Sequence, residues 1–138
     1  WFPAFSIDDS ILYKELLAAA ESSDITPTDV ARFAEVNGDY KKSYEWYKRS
    51  DNTTGMYEGA MSAVANGYPD EADELFSLYL ERISTEAKHP GEFRRMAYAE
   101  NMLHNWEEAM RLCEAMTWDW WRCDCAAGVI EHFYSHKN

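Results

Sequence analysis

Cysteine and histidine side chains that could bind a transition metal cluster near the end of this chain. His132 and His136 are four residues apart, which places both on one face of a helix. Cys123 and Cys125 are two residues apart, so on a helix their side chains point to roughly opposite sides. They cannot easily join both histidines in one tetrahedral site. The sequence therefore predicts no metal at these residues, and it predicts no cofactor.

Acidic residues occur in adjacent pairs, a pattern that general acid–base catalysis can use. Each pair falls near a predicted helix start, where the helix dipole stabilises negative charge: Asp8-Asp9, Asp70-Glu71, Asp73-Glu74 and Glu107-Glu108. A general acid needs burial to raise its pKa, and these positions are predicted to be exposed. The six scattered glycines form no phosphate-binding loop, and no nucleophile elbow is present. We therefore expect a protein that is not an enzyme.

Three tryptophans stand in the segment Trp118-Asp119-Trp120-Trp121. A helix turns by about 100° per residue, so Trp118 and Trp121 can share a face while Trp120 points elsewhere. Trp120 either packs on the preceding helices or is exposed, and exposed tryptophan is enriched at protein interfaces. We include Trp120 among the predicted partner-binding residues.

The elements that position these side chains are predicted to be helices. Apolar residues recur at helical spacing in eight segments, and no segment alternates with the period of a strand. Gly38 and Gly67 should end helices, because glycine adopts the left-handed cap without a steric penalty. The fold class is therefore all-α, with about eight helices in one domain over residues 1–138.

Three helix-to-helix turns repeat along the chain, at Gly38, Gly67 and His104, which are 29 and then 37 residues apart. A small residue precedes each turn on the first helix, and another follows it on the second: Ala31, Ala60 and Ala97, then Ser43, Ala72 and Ala109. A bulky apolar residue or cysteine follows each second small residue: Tyr47, Phe76 and Cys113. The pattern resembles degenerate tetratricopeptide-like or Sel1-like repeats, whose period is about 34 residues.

The resemblance implies a stack of antiparallel helical hairpins, an α-solenoid in which neighbouring hairpins complete each other's core. It assigns residues 24–138 to hairpins and residues 1–23 to an N-terminal capping helix. Pro27, Met56 and Phe93 stand where the repeat usually has its signature tryptophan.

In folds of this kind the first helix of each hairpin lines a concave face that binds protein partners. The resemblance places seven residues there: Arg32, Glu35, Tyr57, Met61, Arg94, Tyr98 and Asn101. The arginines could bind a carboxylate on an extended peptide, whereas Tyr and Met could take apolar side chains. The alternative is that the arginines form Asp–Arg-type ion pairs on a solvated helix face.

The net charge of −12 narrows the class of partner. Direct binding to nucleic acid needs Lys and Arg to displace counterions, and an acidic chain is also repelled by anionic membranes. No apolar run approaches the roughly 20 residues that span a bilayer. The charge is compatible with a basic protein partner, and it is equally compatible with a role in solubility alone.

Two functions are compatible with these observations, the second by analogy with acidic proteins of this size. The first is a non-catalytic protein–protein interaction module that binds a protein or peptide. The second is a small acidic inhibitor that blocks a basic partner, either as a nucleic-acid mimic of the anti-CRISPR or anti-restriction type or as a toxin-neutralising immunity protein. The odd number of cysteines, three, favours reduced thiols and therefore a cytoplasmic location.

Overall fold

A computed structural model describes residues 7–83 and 90–136, except for the side chains of residues 7–10 and 90. These residues form eight helices and no strand, as predicted. The helices are α1 Ile7–Glu21, α2 Pro27–Val36, α3 Tyr40–Lys48, α4 Thr53–Ala65, α5 Pro69–Ile83, α6 Pro90–Met102, α7 Trp106–Glu114 and α8 Asp119–His136.

The helices stack as a series of hairpins. The helix pairs α2 with α3, α4 with α5, and α6 with α7 make the most extensive contacts. Contacts of α3 with α4, α5 with α6 and α7 with α8 join each hairpin to the next element. Helix α8 continues the stack beyond the last hairpin, because it packs on α6 as well as on α7.

The three repeated turns share one backbone geometry. Gly38 and Gly67 have φ of 79° and His104 has φ of 64°, so each turn passes through the left-handed region. The residue after each turn donates its N–H to the carbonyl five residues earlier, at 2.9 Å for Asp39, 2.8 Å for Tyr68 and 2.8 Å for Asn105. This is the Schellman arrangement that closes a helix C-terminus. The third turn puts a histidine in the conformation where the first two use glycine.

Small side chains let the paired helices approach closely. The six predicted small residues are all buried: Ala31, Ala60 and Ala97 on the first helices, Ser43, Ala72 and Ala109 on the second. The Ser43 hydroxyl donates a hydrogen bond to the carbonyl of Ala31 at 2.8 Å, so this buried polar group is satisfied. Tyr47, Phe76 and Cys113 are also buried, which confirms the predicted core positions.

Helix α1 buries little of its apolar surface. Helical spacing predicts an apolar face on this helix. Of its residues Leu17 is buried, but Ile11, Leu12 and Leu16 are each about half exposed. Two hydrogen bonds tie the helix to the first hairpin: Tyr13 Oη donates to Asp39 Oδ2 at 2.9 Å, and Trp46 Nε1 donates to Glu21 Oε2 at 2.8 Å. The capping role of residues 1–23 stays a prediction.

The expectation of reduced thiols was wrong for two of the three cysteines. Cys113 of α7 and Cys125 of α8 form a disulfide with a Cα–Cα distance of 5.4 Å, and only Cys123 is a free, exposed thiol. Both bonded cysteines are buried, so the bond fastens α8 to the last hairpin inside the core. The cytoplasmic location stays a prediction, now without support from this pair.

We expect reduction of this disulfide to destabilise the protein by about 3 kcal/mol. The bond restricts the unfolded chain, so the chain loses less conformational entropy when it folds. Its cysteines are 12 residues apart. Urea unfolding with and without dithiothreitol measures the effect, and the Cys113→Ala/Cys125→Ala variant should match the reduced protein. Cys123→Ser is the control and should unfold at the wild-type midpoint. An unchanged midpoint under reductant would contradict the expectation.

Candidate functional site

One face of the stack carries a cavity of about 470 Å³ between α4, α6 and α8. It is lined by side chains of these helices, including Tyr57, Arg94, Tyr98, Asn101 and Trp121. A second, shallower depression of about 670 Å³ is lined by residues of α2, α4 and α6. Tyr57 and Arg95 line both depressions. We call the two together the groove.

The groove brings together six of the eight residues predicted to bind a partner. Tyr57, Arg94, Tyr98 and Asn101 line the cavity, and Glu35, Tyr57 and Met61 line the second depression. Sequence reasoning missed Arg95 and Trp121. Both lie next to predicted residues along the chain, and the phase of α6 and α8 could not be placed finely enough to select them.

Tyr57 joins the groove to an aromatic cluster in the core. Its ring centroid lies 5.2 Å from that of Tyr79, 6.1 Å from that of Phe76 and 6.3 Å from that of Tyr98. Burial raises the pKa of Tyr57 to about 12, and the nearby Tyr98 adds to the shift. The Tyr57 hydroxyl therefore stays neutral at pH 7 and is able to donate a hydrogen bond.

The two arginines of α6 differ in how they are held. The Arg94 guanidinium forms an ion pair with Asp124 at 2.5 Å and lies 5.3 Å from the ring centroid of Trp121. The Arg95 guanidinium lies 5.7 Å from the ring centroid of Tyr57, and no carboxylate among the described residues forms an ion pair with it. Arg95 thus presents a cation whose hydrogen-bonding capacity is available at the junction of the two depressions.

Asn101 is the polar residue buried in the cavity wall. Its side chain is 5% exposed, and its Oδ1 atom has no hydrogen-bond donor among the described residues. A buried acceptor without a partner is uncommon and costs about 1–3 kcal/mol. Because Asn101 lines the cavity, a molecule bound there could donate a hydrogen bond to the oxygen once the amide turns toward it.

Arg32 and Trp120 do not line the groove. Arg32 donates to Glu58 of α4 through Nε at 3.2 Å and Nη2 at 3.0 Å, so it is held in an exposed ion pair, as in the alternative interpretation, although the pair joins two helices. Trp120 is 65% exposed and makes an edge contact with the ring of Trp121. Trp118 precedes α8 and is equally exposed, so it does not share a helix face with Trp121. A partner-binding role for Arg32 and Trp120 stays a prediction.

The cysteines and histidines near the end of the chain do not form the constellation considered from the sequence. Cys125 is bonded to Cys113 and offers no thiolate. Instead, His132 and His136 lie beside His104 from the turn between α6 and α7, and one ring nitrogen of each lies within 4.8 Å of the others. Sequence reasoning missed His104 because it is 28 and 32 residues away from its two neighbours.

His132 is the half-buried member of this histidine cluster. Trp106 Nε1 donates a hydrogen bond to its Nδ1 atom at 3.1 Å. Burial lowers the pKa of His132, and the neighbouring His136 and His104 lower it further. His132 is therefore held as the neutral imidazole near pH 7.

Two of the four acidic pairs lie in the first turn of a helix, as expected, whereas Asp73 and Glu74 lie further along α5. Asp70 and Glu71 are in the first turn of α5, and Glu107 and Glu108 are in the first turn of α7. The side chains of Asp8 and Asp9 lie outside the described residues. Within the described part of the chain, no helix is both long and apolar enough to cross a bilayer.

Two solved structures share this architecture. A putative kinesin light chain with nearly identical TPR-like repeats from Podosopora anserina superimposes with a TM-score of 0.54 at 15% identity, covering 94% of this chain and 80% of that one. A variant of that protein with one substitution gives the same TM-score and identity and is covered over 79% of its length. No protein-family profile matches the chain, and no curated protein matches its sequence. The chain therefore has a tetratricopeptide-like fold, as its repeated turns predicted.

Proposed function

We propose that the protein is a non-catalytic interaction module whose groove binds an extended peptide segment of a partner protein. The observation that carries the proposal is the junction of the two depressions. At this junction Arg95 has no ion pair within the described residues, and in the adjoining cavity the Oδ1 atom of the buried Asn101 lacks a donor. Both groups gain a partner when a peptide occupies the groove.

The chemistry of the groove indicates how such a peptide would be held. A backbone N–H could donate to Asn101, and a side-chain or terminal carboxylate could accept from the Arg95 guanidinium. The rings of Tyr57, Tyr98 and Trp121 offer apolar surface for one large side chain. Recognition through backbone groups and one pocket suits an extended segment better than a folded surface.

The acidic surface would act on the partner over a longer range. A net charge of −12 attracts a basic protein and speeds its encounter with the groove. A small acidic inhibitor, whether a nucleic-acid mimic or an immunity protein, would use this surface and not the groove. The two versions of the function therefore depend on different residues, and one experiment separates them.

We expect random linear peptides selected against the wild-type protein to bind the Arg95→Ala variant about tenfold more weakly, because a charge-assisted hydrogen bond is lost. A display library supplies the peptides, and fluorescence polarisation of a labelled synthetic copy gives the affinity. Arg111→Ala is the matched control, since Arg111 is an exposed arginine of α7 outside the groove.

Equal affinity for wild type and Arg95→Ala would contradict binding in the groove. If the selected peptides are rich in Lys and Arg and lose affinity steeply with salt in both proteins, the acidic inhibitor is the better account. Selection of no peptide at all would also argue against the proposal.

A further inference from the structure

The histidine cluster at the end of the stack joins two separate elements. His104 comes from the turn between α6 and α7, and His132 and His136 come from successive turns of α8. The ring centroid of His104 lies 5.7 Å from that of His132 and 5.0 Å from that of His136, and the last two are 4.0 Å apart. No carboxylate belongs to this group of candidate ligands in the described residues.

The fold holds His104 in place from two sides. Its backbone occupies the left-handed region, with φ of 64°, where the turn requires it. Its ring stacks on Trp106 with centroids 5.0 Å apart and planes 12° apart, and Trp106 in turn packs edge-on against Phe133 of α8. The turn therefore directs this imidazole toward α8.

His136 has a ring nitrogen ready to bind a cation. Its Nδ1 atom lies 2.9 Å from the carbonyl oxygen of His132. A carbonyl only accepts, so this contact is a hydrogen bond when Nδ1 carries the proton, which leaves the lone pair on Nε2. A backbone carbonyl that fixes the imidazole in this way is a common companion of metal-binding histidines.

We propose that His104, His132 and His136 form a binding site for a divalent transition-metal ion such as Zn²⁺, with water completing a tetrahedral shell. Imidazole nitrogen suits ions of this class, and three protein ligands with one open position is a familiar zinc arrangement. At Zn–N distances near 2.0–2.1 Å the three nitrogens would be about 3.3 Å apart. In the structure the three candidate nitrogens lie within 4.8 Å of one another, so metal binding requires small side-chain rotations. The exposure of His104 and His136 permits them.

Trp106 competes with the metal for His132. The indole N–H is a donor only, so His132 Nδ1 accepts and the proton of the neutral ring is on Nε2. A metal bound at Nδ1 replaces the indole hydrogen bond. A metal bound at Nε2 moves the ring proton to Nδ1, where it faces the indole donor. Either way the Trp106–His132 hydrogen bond breaks, so Trp106 weakens metal binding.

Zn²⁺ titration of the full chain tests the site, with a chromophoric chelator as competitor. All proteins carry Cys123→Ser, so that the free thiol contributes no ligand. We expect one equivalent of Zn²⁺ to bind, and His104→Gly and His136→Gln each to weaken binding at least tenfold. His104→Gly suits the left-handed turn, so a loss of affinity is not a loss of fold. Circular dichroism verifies this for both variants.

Trp106→Phe provides the test in the opposite direction. It keeps an aromatic ring beside His104 and removes the competing donor, so Zn²⁺ affinity should rise severalfold. Mg²⁺ and Ca²⁺ should not displace Zn²⁺, because they prefer oxygen ligands. Absence of stoichiometric Zn²⁺ binding, or undiminished affinity in His104→Gly, would overturn the proposal. This proposal differs from the sequence-based prediction that no metal binds here. It does not depend on peptide binding in the groove.

Discussion

Replacing Asn101 with leucine should make the protein more stable and its groove a poorer binding site. Asn101 is 5% exposed, and its Oδ1 atom has no donor among the described residues. Such a buried acceptor costs about 1–3 kcal/mol, and leucine of similar size removes it. We expect Asn101→Leu to raise the free energy of unfolding by about 1 kcal/mol. The affinity for groove-selected peptides should fall at least about tenfold, because their donor loses its acceptor.

Two measurements on the same variant separate this expectation from an ordinary core substitution. Urea unfolding gives the stability, and fluorescence polarisation with the selected peptide gives the affinity. Asn66→Ala is the control, because Asn66 ends α4 at the surface and its amide donates to the Ser62 carbonyl at 2.9 Å. It should lose a little stability and keep full affinity. If Asn101→Leu unfolds at a lower urea concentration than wild type, the Asn101 amide makes favourable contacts in the free protein, and its unpaired oxygen does not have the cost that we expect.

The helices and their turns were predictable because their causes are local. Gly38 and Gly67 stop helices through their own backbone freedom, and both adopt the left-handed conformation. The buried small residues follow from spacing within one hairpin. Such signals act over a few residues, which is the range that a single sequence reveals.

The errors concern partners that are distant along the chain. The disulfide depends on α7 and α8 lying side by side, which brings the Cα atoms of Cys113 and Cys125 to 5.4 Å. A count of cysteines contains no such information. The apolar face of α1 follows from its spacing, but periodicity does not say whether another helix covers that face, and Ile11, Leu12 and Leu16 are exposed.

In the groove, too, the predictable features are local and the others depend on contacts that are distant along the chain. The repeat resemblance placed Tyr57, Tyr98 and Asn101 on one face of the stack, and all three line the cavity. It could not show that Arg32 is bound by Glu58, 26 residues away, whereas Arg95 has no ion pair within the described residues. Which cations are available to a partner is decided by contacts between hairpins, and these contacts follow from the packing alone.

Gly59→Ala should destabilise the protein, although alanine is the better helix former by about 1 kcal/mol. Gly59 is buried in α4 against Tyr47 of α3. A Cβ atom at this position would lie 2.7 Å from both Cγ and Cδ2 of the Tyr47 ring. The ring cannot easily retreat, because it is 1% exposed and its hydroxyl donates to Glu35 Oε1 at 2.9 Å. We expect a net loss of about 2–3 kcal/mol, typical of an overpacked core.

Gly128→Ala is the matched control, since Gly128 is also helical and an added Cβ there would meet no atom within 4 Å. It should gain about 0.5–1 kcal/mol from helix propensity alone. Urea midpoints of the two variants should therefore move in opposite directions. If the Tyr47 contact is the cause, Tyr47→Leu should cost less in the Gly59→Ala background than in wild type, because the smaller side chain relieves the overlap. Equal costs in the two backgrounds would show that the close approach of α4 to α3 does not limit the residue at position 59.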